Sequence, residues 1–179
     1  MGAGTDLIVY YAGHGMPNEA TKDALLLPVD GDPLTAESCY SLNRLYDELG
    51  NSGAENIIVF LDACFSGSNR GDGMLTATRG VAIKPKEVAP QGNMFILSAT
   101  SGQETALPYA EKNHGLFTYY LLKKLQQTRG NVTLSDLAED VKSNVARQSN
   151  LINRKPQTPQ VSLSGNMRQI YSKKKLTAN

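Results

Sequence analysis

Three short apolar runs, Asp6 to Tyr11, Ile57 to Leu61 and Met94 to Ala99, are rich in β-branched and aromatic residues, and each stops at a cluster of small residues. The first ends in Ala12-Gly13-His14-Gly15, the second in Asp62-Ala63-Cys64-Phe65-Ser66-Gly67, the third in Ser98-Ala99-Thr100-Ser101-Gly102. Ile57 to Leu61 contains no polar residue, the pattern of a strand covered on both faces. Helical patterns lie between and after these runs. Leu42, Leu45, Tyr46 and Leu49 recur at helical spacing within Ser38 to Leu49, with Gly50 and Gly53 as the stop. Gly115 to Leu125 and Leu134 to Val145 read as two more helices, the second capped by Thr133 or Ser135. Strands alternating with helices predict an α/β fold with a largely parallel sheet. In such sheets ligands bind beyond the carboxyl ends of the strands, so His14, Cys64 and the turn from Ser98 to Gly102 are directed to one edge.

The remaining segments fit around this frame. Ala24 to Val29 reads as a small hairpin or edge strand closed by Asp30-Gly31-Asp32-Pro33, and Gln160 to Ser164 as a last strand. Ser66 to Gly92, with five glycines and two prolines, reads as a long loop beside the strand ends, where long loops are usually functional. The run Lys173-Lys174-Lys175 reads as a solvated, frayed basic tail over 171–179, outside a single domain over 1–170.

At 179 residues and 40% hydrophobic content, one domain with a real core is expected. Lys and Arg total 18 against 17 for Asp and Glu, so the net charge of +1 provides no long-range attraction to nucleic acid or to an anionic membrane. No apolar run approaches the roughly 20 residues that span a bilayer, and the first residues lack the basic-then-apolar build of a signal peptide. Two cysteines, Cys39 and Cys64, make no disulfide framework, which points to a reducing, cytoplasmic setting.

The chemistry follows from a nucleophile and a base. A cysteine nucleophile needs a thiolate or a nearby base, and donors for an oxyanion. A cysteine at a strand end is commonly just a small buried hydrophobe. With His14 directed to the same edge and glycines flanking His14, a Cys64/His14 dyad becomes the stronger reading. Gly15 and Cys64 are the candidate N–H donors to the oxyanion. Asp62, two residues before Cys64, faces the same side of its strand and is a candidate anchor for a cationic substrate side chain, or else holds a loop by hydrogen bonds. Tyr10 and Tyr11 read as core and groove-lining residues, His114 as structural or capping, and Cys39 as structural. A zinc site from His14, Cys39, Cys64 and His114 would have spacings of 25, 25 and 50, unlike the close pairs of structural zinc sites. A redox-sensing thiol would lack a nearby resolving cysteine.

Tyr10-Tyr11-Ala12-Gly13-His14-Gly15 and Asp62-Ala63-Cys64-Phe65-Ser66-Gly67 resemble the His and Cys signatures of the caspase-like cysteine peptidases, the clan of caspases, metacaspases and paracaspases. The resemblance extends to Leu27-Pro28-Val29-Asp30, Leu97-Ser98-Ala99-Thr100, Glu104-Thr105-Ala106 and His114-Gly115-Leu116-Phe117-Thr118. The separation of 50 residues between His14 and Cys64 matches the roughly 50 of caspases. Caspases carry Gln-Ala-Cys where this chain has Asp62-Ala63-Cys64, and an acid at that position resembles the metacaspase and paracaspase branch, which cleaves after Arg or Lys.

The resemblance implies a three-layer α/β/α sandwich and a cysteine endopeptidase acting on protein or peptide substrates. It implies that Ser98 and Ala99 line the substrate groove and that Glu104 supplies a second pocket acid, with Asp32 a weaker candidate. Arg70, Arg79, Lys84 and Lys86 in the long loop would be self-cleavage sites. Similar metacaspases often require calcium, but no compact run of carboxylates makes a site here, so no metal or cofactor is expected from the sequence. Caspase-like domains also carry two strands and a helix before the His strand, whereas only Met1 to Thr5 precede it here. The first quarter of the domain is thus expected to be absent from this chain, leaving the His strand with an exposed edge. Another segment, a partner chain or a second copy is expected to cover that edge. The alternative reading is a catalytically inactive interaction module.

Overall fold

The computed structural model describes residues 4–65, 86, 88–101 and 104–177. Most of the predicted loop from Ser66 to Gly92, including Arg70, Arg79 and Lys84, lies outside the described residues, as does Gly102.

The three apolar runs form β1 (Asp6–Ala12), β5 (Asn56–Asp62) and β6 (Met94–Ser98), and β9 (Gln160–Leu163) completes a four-stranded sheet of order β1-β5-β6-β9. The first three are parallel and β9 is antiparallel to β6. Register aligns Ala12 with Asp62 and Leu61 with Ser98, so the carboxyl ends of all three parallel strands reach one edge. All seven residues of β5 are buried, as expected of a central strand without polar alternation.

The two faces of the sheet bury different residues because side chains alternate along each strand. On one face Ile58, Phe60, Phe95 and Leu97 pack against α2 (Leu116–Thr128) and α3 (Leu134–Gln148), with Phe60 and Phe95 edge to face at 6.4 Å between ring centroids. In α3 the buried positions Leu134, Leu137, Ala138, Val141 and Val145 form one helical stripe, and Thr133 caps it by accepting the Asp136 N–H at 3.1 Å. On the other face Ile57, Val59, Leu61, Met94 and Ile96 pack with Leu42 and Tyr46 of α1 (Leu42–Gly50). Helices on both faces of the sheet make the three-layer α/β/α sandwich.

Helix α1 begins four residues later than its periodicity suggests. Ser41 is the cap, accepting from Arg44 N–H, while Tyr40–Ser41 is spent on β4, which pairs with β3 (Ala24–Leu26). β3 in turn pairs with β2 (Gly15–Pro17), so the run from Ala24 belongs to a separate three-stranded antiparallel sheet. A further hairpin, β7 (Pro108–Tyr109) with β8 (His114–Gly115), leads into α2, and one short helix, α4 (Met167–Ile170), follows β9.

The basic run is not the frayed tail expected of it. Lys174 O accepts the Leu134 N–H at 2.9 Å, Lys175 pairs with Thr133 in an antiparallel bridge, and Lys174 Nζ lies 2.6 Å from Asp6 Oδ2. Three lysines in a row signal solvation, but backbone pairing is indifferent to side-chain charge, and Asp6 offers a counter-charge from β1. Burial pushes the Asp6 carboxyl up, but hydrogen bonds from Lys174 and Asn56 and the Lys174 charge outweigh it and hold the group below its ordinary value. A depressed carboxyl stabilises the fold above its unfolded value near 4, and that contribution is lost as pH falls through the folded value. Asp6→Asn should therefore cost at most about 1 kcal/mol in urea denaturation at pH 7, and the gap to the parent should narrow as pH falls below about 4.

β1 forms one margin of the sheet, and among the described residues no strand pairs with its outer edge. Its residues alternate between exposed and half-buried, with Ile8 49% and Tyr10 48% exposed.

Candidate active site

β1 ends at Ala12 and β5 at Asp62, and the turns that follow are laced together. Gly13 N–H donates to the Asp62 carbonyl at 3.2 Å, extending the β1–β5 ladder by one bond. Two residues on, Gly15 is buried so closely against the second turn that a Cβ there would stand 2.7 Å from the Cys64 carbonyl and 2.6 Å from the Phe65 ring. His14 lies between these two contacts. Its carbonyl accepts the Leu27 N–H at 2.9 Å and lies 2.8 Å from the Tyr11 hydroxyl, which is also 3.0 Å from the Leu27 carbonyl. Tyr11 thus pins the loop backbone, and its hydroxyl fills the space where a side chain on Gly13 would go, 2.6 Å from that Cβ position. Because His14 and Leu27 form the hydrogen-bonded pair of the β2–β3 ladder, Gly15 opposite Leu26 is a non-hydrogen-bonded position and turns its N–H away from β3.

Cys64 and Asp62 both face the α2 side of the sheet. Cys64 is 1% exposed, packed in the core cluster with Phe60 and Ala99. Asp62 is fully buried, and its Oδ2 accepts from both donors of Thr118, the N–H at 3.3 Å and the hydroxyl at 2.5 Å. Thr118 is the third residue of α2, whose N-cap, Gly115, supplies no side-chain cap. The Asp62 carboxylate therefore satisfies an N–H that the helix itself leaves unpaired, and sits at the positive end of the helix dipole. The Thr118 hydroxyl is also 2.7 Å from the Tyr10 hydroxyl.

Ser98 and Ala99 fall on opposite faces, as neighbours at a strand end must. Ser98 opens into a cleft of about 440 Å³ on the α1 side, lined also by Ala63, Phe65, Lys86, Val88 and Ser101. The cleft starts at the turn that carries Cys64, through Ala63 and Phe65. Ala99 instead packs into the core on the α2 side, so its side chain does not line the cleft. Glu104 accepts from Thr158 twice, at 2.6 Å from its N–H and 2.9 Å from its hydroxyl. Asp32 is engaged within its own turn by Leu34 N–H and the Thr35 hydroxyl, away from the strand ends.

His114 is exposed in β8 opposite Tyr109, and Gly115 takes the cap position of α2. Cys39 is half-buried with its Sγ 3.6 Å from Met16 Sδ, and neither cysteine is in a disulfide. Among the described residues no three His, Cys, Asp or Glu side chains converge to hold a metal ion, and no helix is long and apolar enough to cross a membrane.

Three residues at this edge carry no signal that the sequence patterns could rank. Thr118 stands inside the quoted His114-to-Thr118 motif but shows its role only as a partner of Asp62. Gln157 and Thr158, between Pro156 and Pro159, hold the segment after β6. The Gln157 Nε2 donates to the Ala99 carbonyl at 3.0 Å, and its Oε1 accepts the Leu107 N–H at 2.9 Å. The only hint was two polar residues framed by prolines, which fix the backbone.

Comparison with known proteins agrees with this architecture. A family model described as the caspase domain matches residues 2–171. A crystal structure of a protein from Geobacter sulfurreducens superposes with a TM-score of 0.61 at 20% identity, covering 92% of this chain and 68% of that one. The crystal structure of caspase-1 from Spodoptera frugiperda gives a TM-score of 0.56 at 16% identity over 88% of this chain and 59% of the other. A search of curated protein sequences found no match. At these identities the structural likeness concerns the fold, whereas the family match spans nearly the whole sequence: the chain belongs to the caspase-domain family.

Proposed function

We propose that this domain is a cysteine endopeptidase of the metacaspase and paracaspase type, cleaving after Arg or Lys with a Cys64/His14 dyad. The observation that carries the reading is the lacing of the two turns: Gly13 and Gly15, on either side of His14, each touch the Asp62-to-Phe65 turn. Nucleophilic catalysis needs a base held near its thiol, and turns laced this closely support that reading. In the reaction, His14 takes the Cys64 thiol proton as the sulfur bonds to the scissile carbonyl carbon, and the carbonyl π electrons move onto an oxyanion held by the Gly15 and Cys64 N–H groups. The C–N bond then breaks and His14 delivers its proton to the leaving amine. Water attacks the thioester, giving its proton to His14, and the sulfur leaves.

Asp62 and Glu104 are the acids that would favour a cationic side chain next to the scissile bond. Self-cleavage at Arg70, Arg79, Lys84 or Lys86 follows from that preference, and Lys86, whose N–H donates to the Lys22 carbonyl at 2.8 Å, lines the cleft. The outer edge of β1, which no strand pairs among the described residues, is the place for a further strand, from another segment, a partner chain or a second copy.

The burial of Cys64 favours a second reading, a catalytically inactive interaction module. A fluorogenic peptide panel separates the two. Arg, Lys, Asp and Asn are placed in turn before the scissile bond, and the parent is compared with Cys64→Ala, with and without calcium. Cleavage after Arg or Lys, lost by at least about a thousandfold in Cys64→Ala, is the expected outcome. Equal, negligible rates in parent and variant across the panel would favour the inactive module.

A further inference from the structure

We infer that Thr118 is a positioning residue for substrate specificity, and that Tyr10 supports it from the protein surface. The inference rests on the reading of Asp62 as the acid that meets a cationic substrate side chain. A carboxyl group with no exposed surface needs hydrogen-bond partners on its oxygens, and Thr118 provides two of them from a single residue. Both donors converge on Oδ2, which restrains the rotation of the carboxylate about its Cβ–Cγ bond. A guanidinium recognises a carboxylate through a planar fork, so that rotation decides whether the fork can form.

The order of donors in the chain is set by proton counting. A hydroxyl has one proton, and a carboxylate only accepts, so the Thr118 proton goes to Asp62 and the Tyr10 phenol must donate to Thr118. The resulting relay, Tyr10 to Thr118 to Asp62, runs from a half-exposed residue of β1 to the buried acid two residues before Cys64. Hydrogen bonds in such a chain polarise one another, so the outer link strengthens the inner one.

The test is made by calorimetry on the Cys64→Ala chain, which binds without turnover. The probes are a tetrapeptide ending in arginine and the same peptide ending in citrulline, its neutral isostere. Adding Thr118→Val keeps the branched shape and the N–H but removes the hydroxyl. It should weaken arginine binding by about tenfold to a hundredfold, the range for losing a hydrogen bond to a charged group, and leave citrulline binding within about twofold. Thr118→Ser should restore the arginine preference to within about threefold of the parent. Tyr10→Phe, at an exposed position that leaves folding intact, should shift the preference in the same direction by a smaller factor.

Equal weakening of both peptides in Thr118→Val would overturn the inference, because a purely structural role loses both together. So would an arginine preference that survives both Thr118→Val and Tyr10→Phe, or no arginine preference in the parent. An arginine preference that collapses in Thr118→Val while the Cys64-intact chain hydrolyses nothing would sustain the inference and sink the peptidase reading instead.

Discussion

Replacing Gly15 by alanine should lower kcat/KM for an arginine substrate by at least about a hundredfold, the cost of moving a catalytic group by about an ångström. The reason is local and steric. A Cβ at position 15 would lie 2.7 Å from the Cys64 carbonyl, and that oxygen belongs to the backbone that carries the proposed nucleophile. The Phe65 ring, 2.6 Å away, has rotamers to escape into; the carbonyl has none. Relief therefore comes only from separating the His14 turn from the Cys64 turn. The same separation would move the Gly15 N–H from its proposed place at the oxyanion. The fold should tolerate the change better than catalysis does, with about 1 to 3 kcal/mol lost in denaturant unfolding, as for other overpacked sites. Steady-state kinetics beside a thermal melt checks both halves. A Gly15→Ala variant with kcat/KM near the parent's would show that the lacing of the two turns is not what assembles the site.

The residues that forecast this arrangement are those whose chemistry is unusual for their place. An uninterrupted apolar strand such as Ile57 to Leu61 admits little but a central position, and it took one. His14 stood out because it closes such a strand between two glycines, and Cys64 because it closes one at a cluster of small residues. What the patterns could not show is partnership. Ser41 at the start of α1 is a cap because β4 ends there, a fact of tertiary pairing that helical spacing does not contain. The lysines near the end of the chain looked like a solvated run by charge alone, yet their backbone pairs with Thr133 and Leu134. Asp62 was legible as an acid facing the Cys64 side, but its fate as a fully buried group at the start of α2 depended on Thr118, 56 residues away. Ala99 was grouped with Ser98 by adjacency, and strand alternation separates them.

Gln157→Leu should be the most damaging single change outside the core, costing about 2 to 5 kcal/mol. Gln157 is fully buried, and its amide spans two backbone groups that have nowhere else to turn: the Ala99 carbonyl, at the end of β6, and the Leu107 N–H, eight residues later. Leucine fills nearly the same volume, so no cavity explains the loss; the cost is two buried polar groups left unsatisfied, about 1 to 3 kcal/mol each. For a chain of this length each kcal/mol moves the melting temperature by roughly 2 to 4 °C, so a fall of about 5 to 15 °C is expected. Gln157→Glu keeps the shape but replaces the amide donor to Ala99 with an acceptor, and should also destabilise. The functional consequence follows from position. Glu104 lies between Ala99 and Leu107 and is gripped by the neighbouring Thr158, so the segment 157–158 holds both ends and the acid of one loop. Loosening it should reduce turnover of an arginine substrate more than that of a citrulline analogue, measured below the variant's own melting range. If Gln157→Leu melts within about 2 °C of the parent, the bridge is dispensable and Glu104 must be held in place by something other than this clamp.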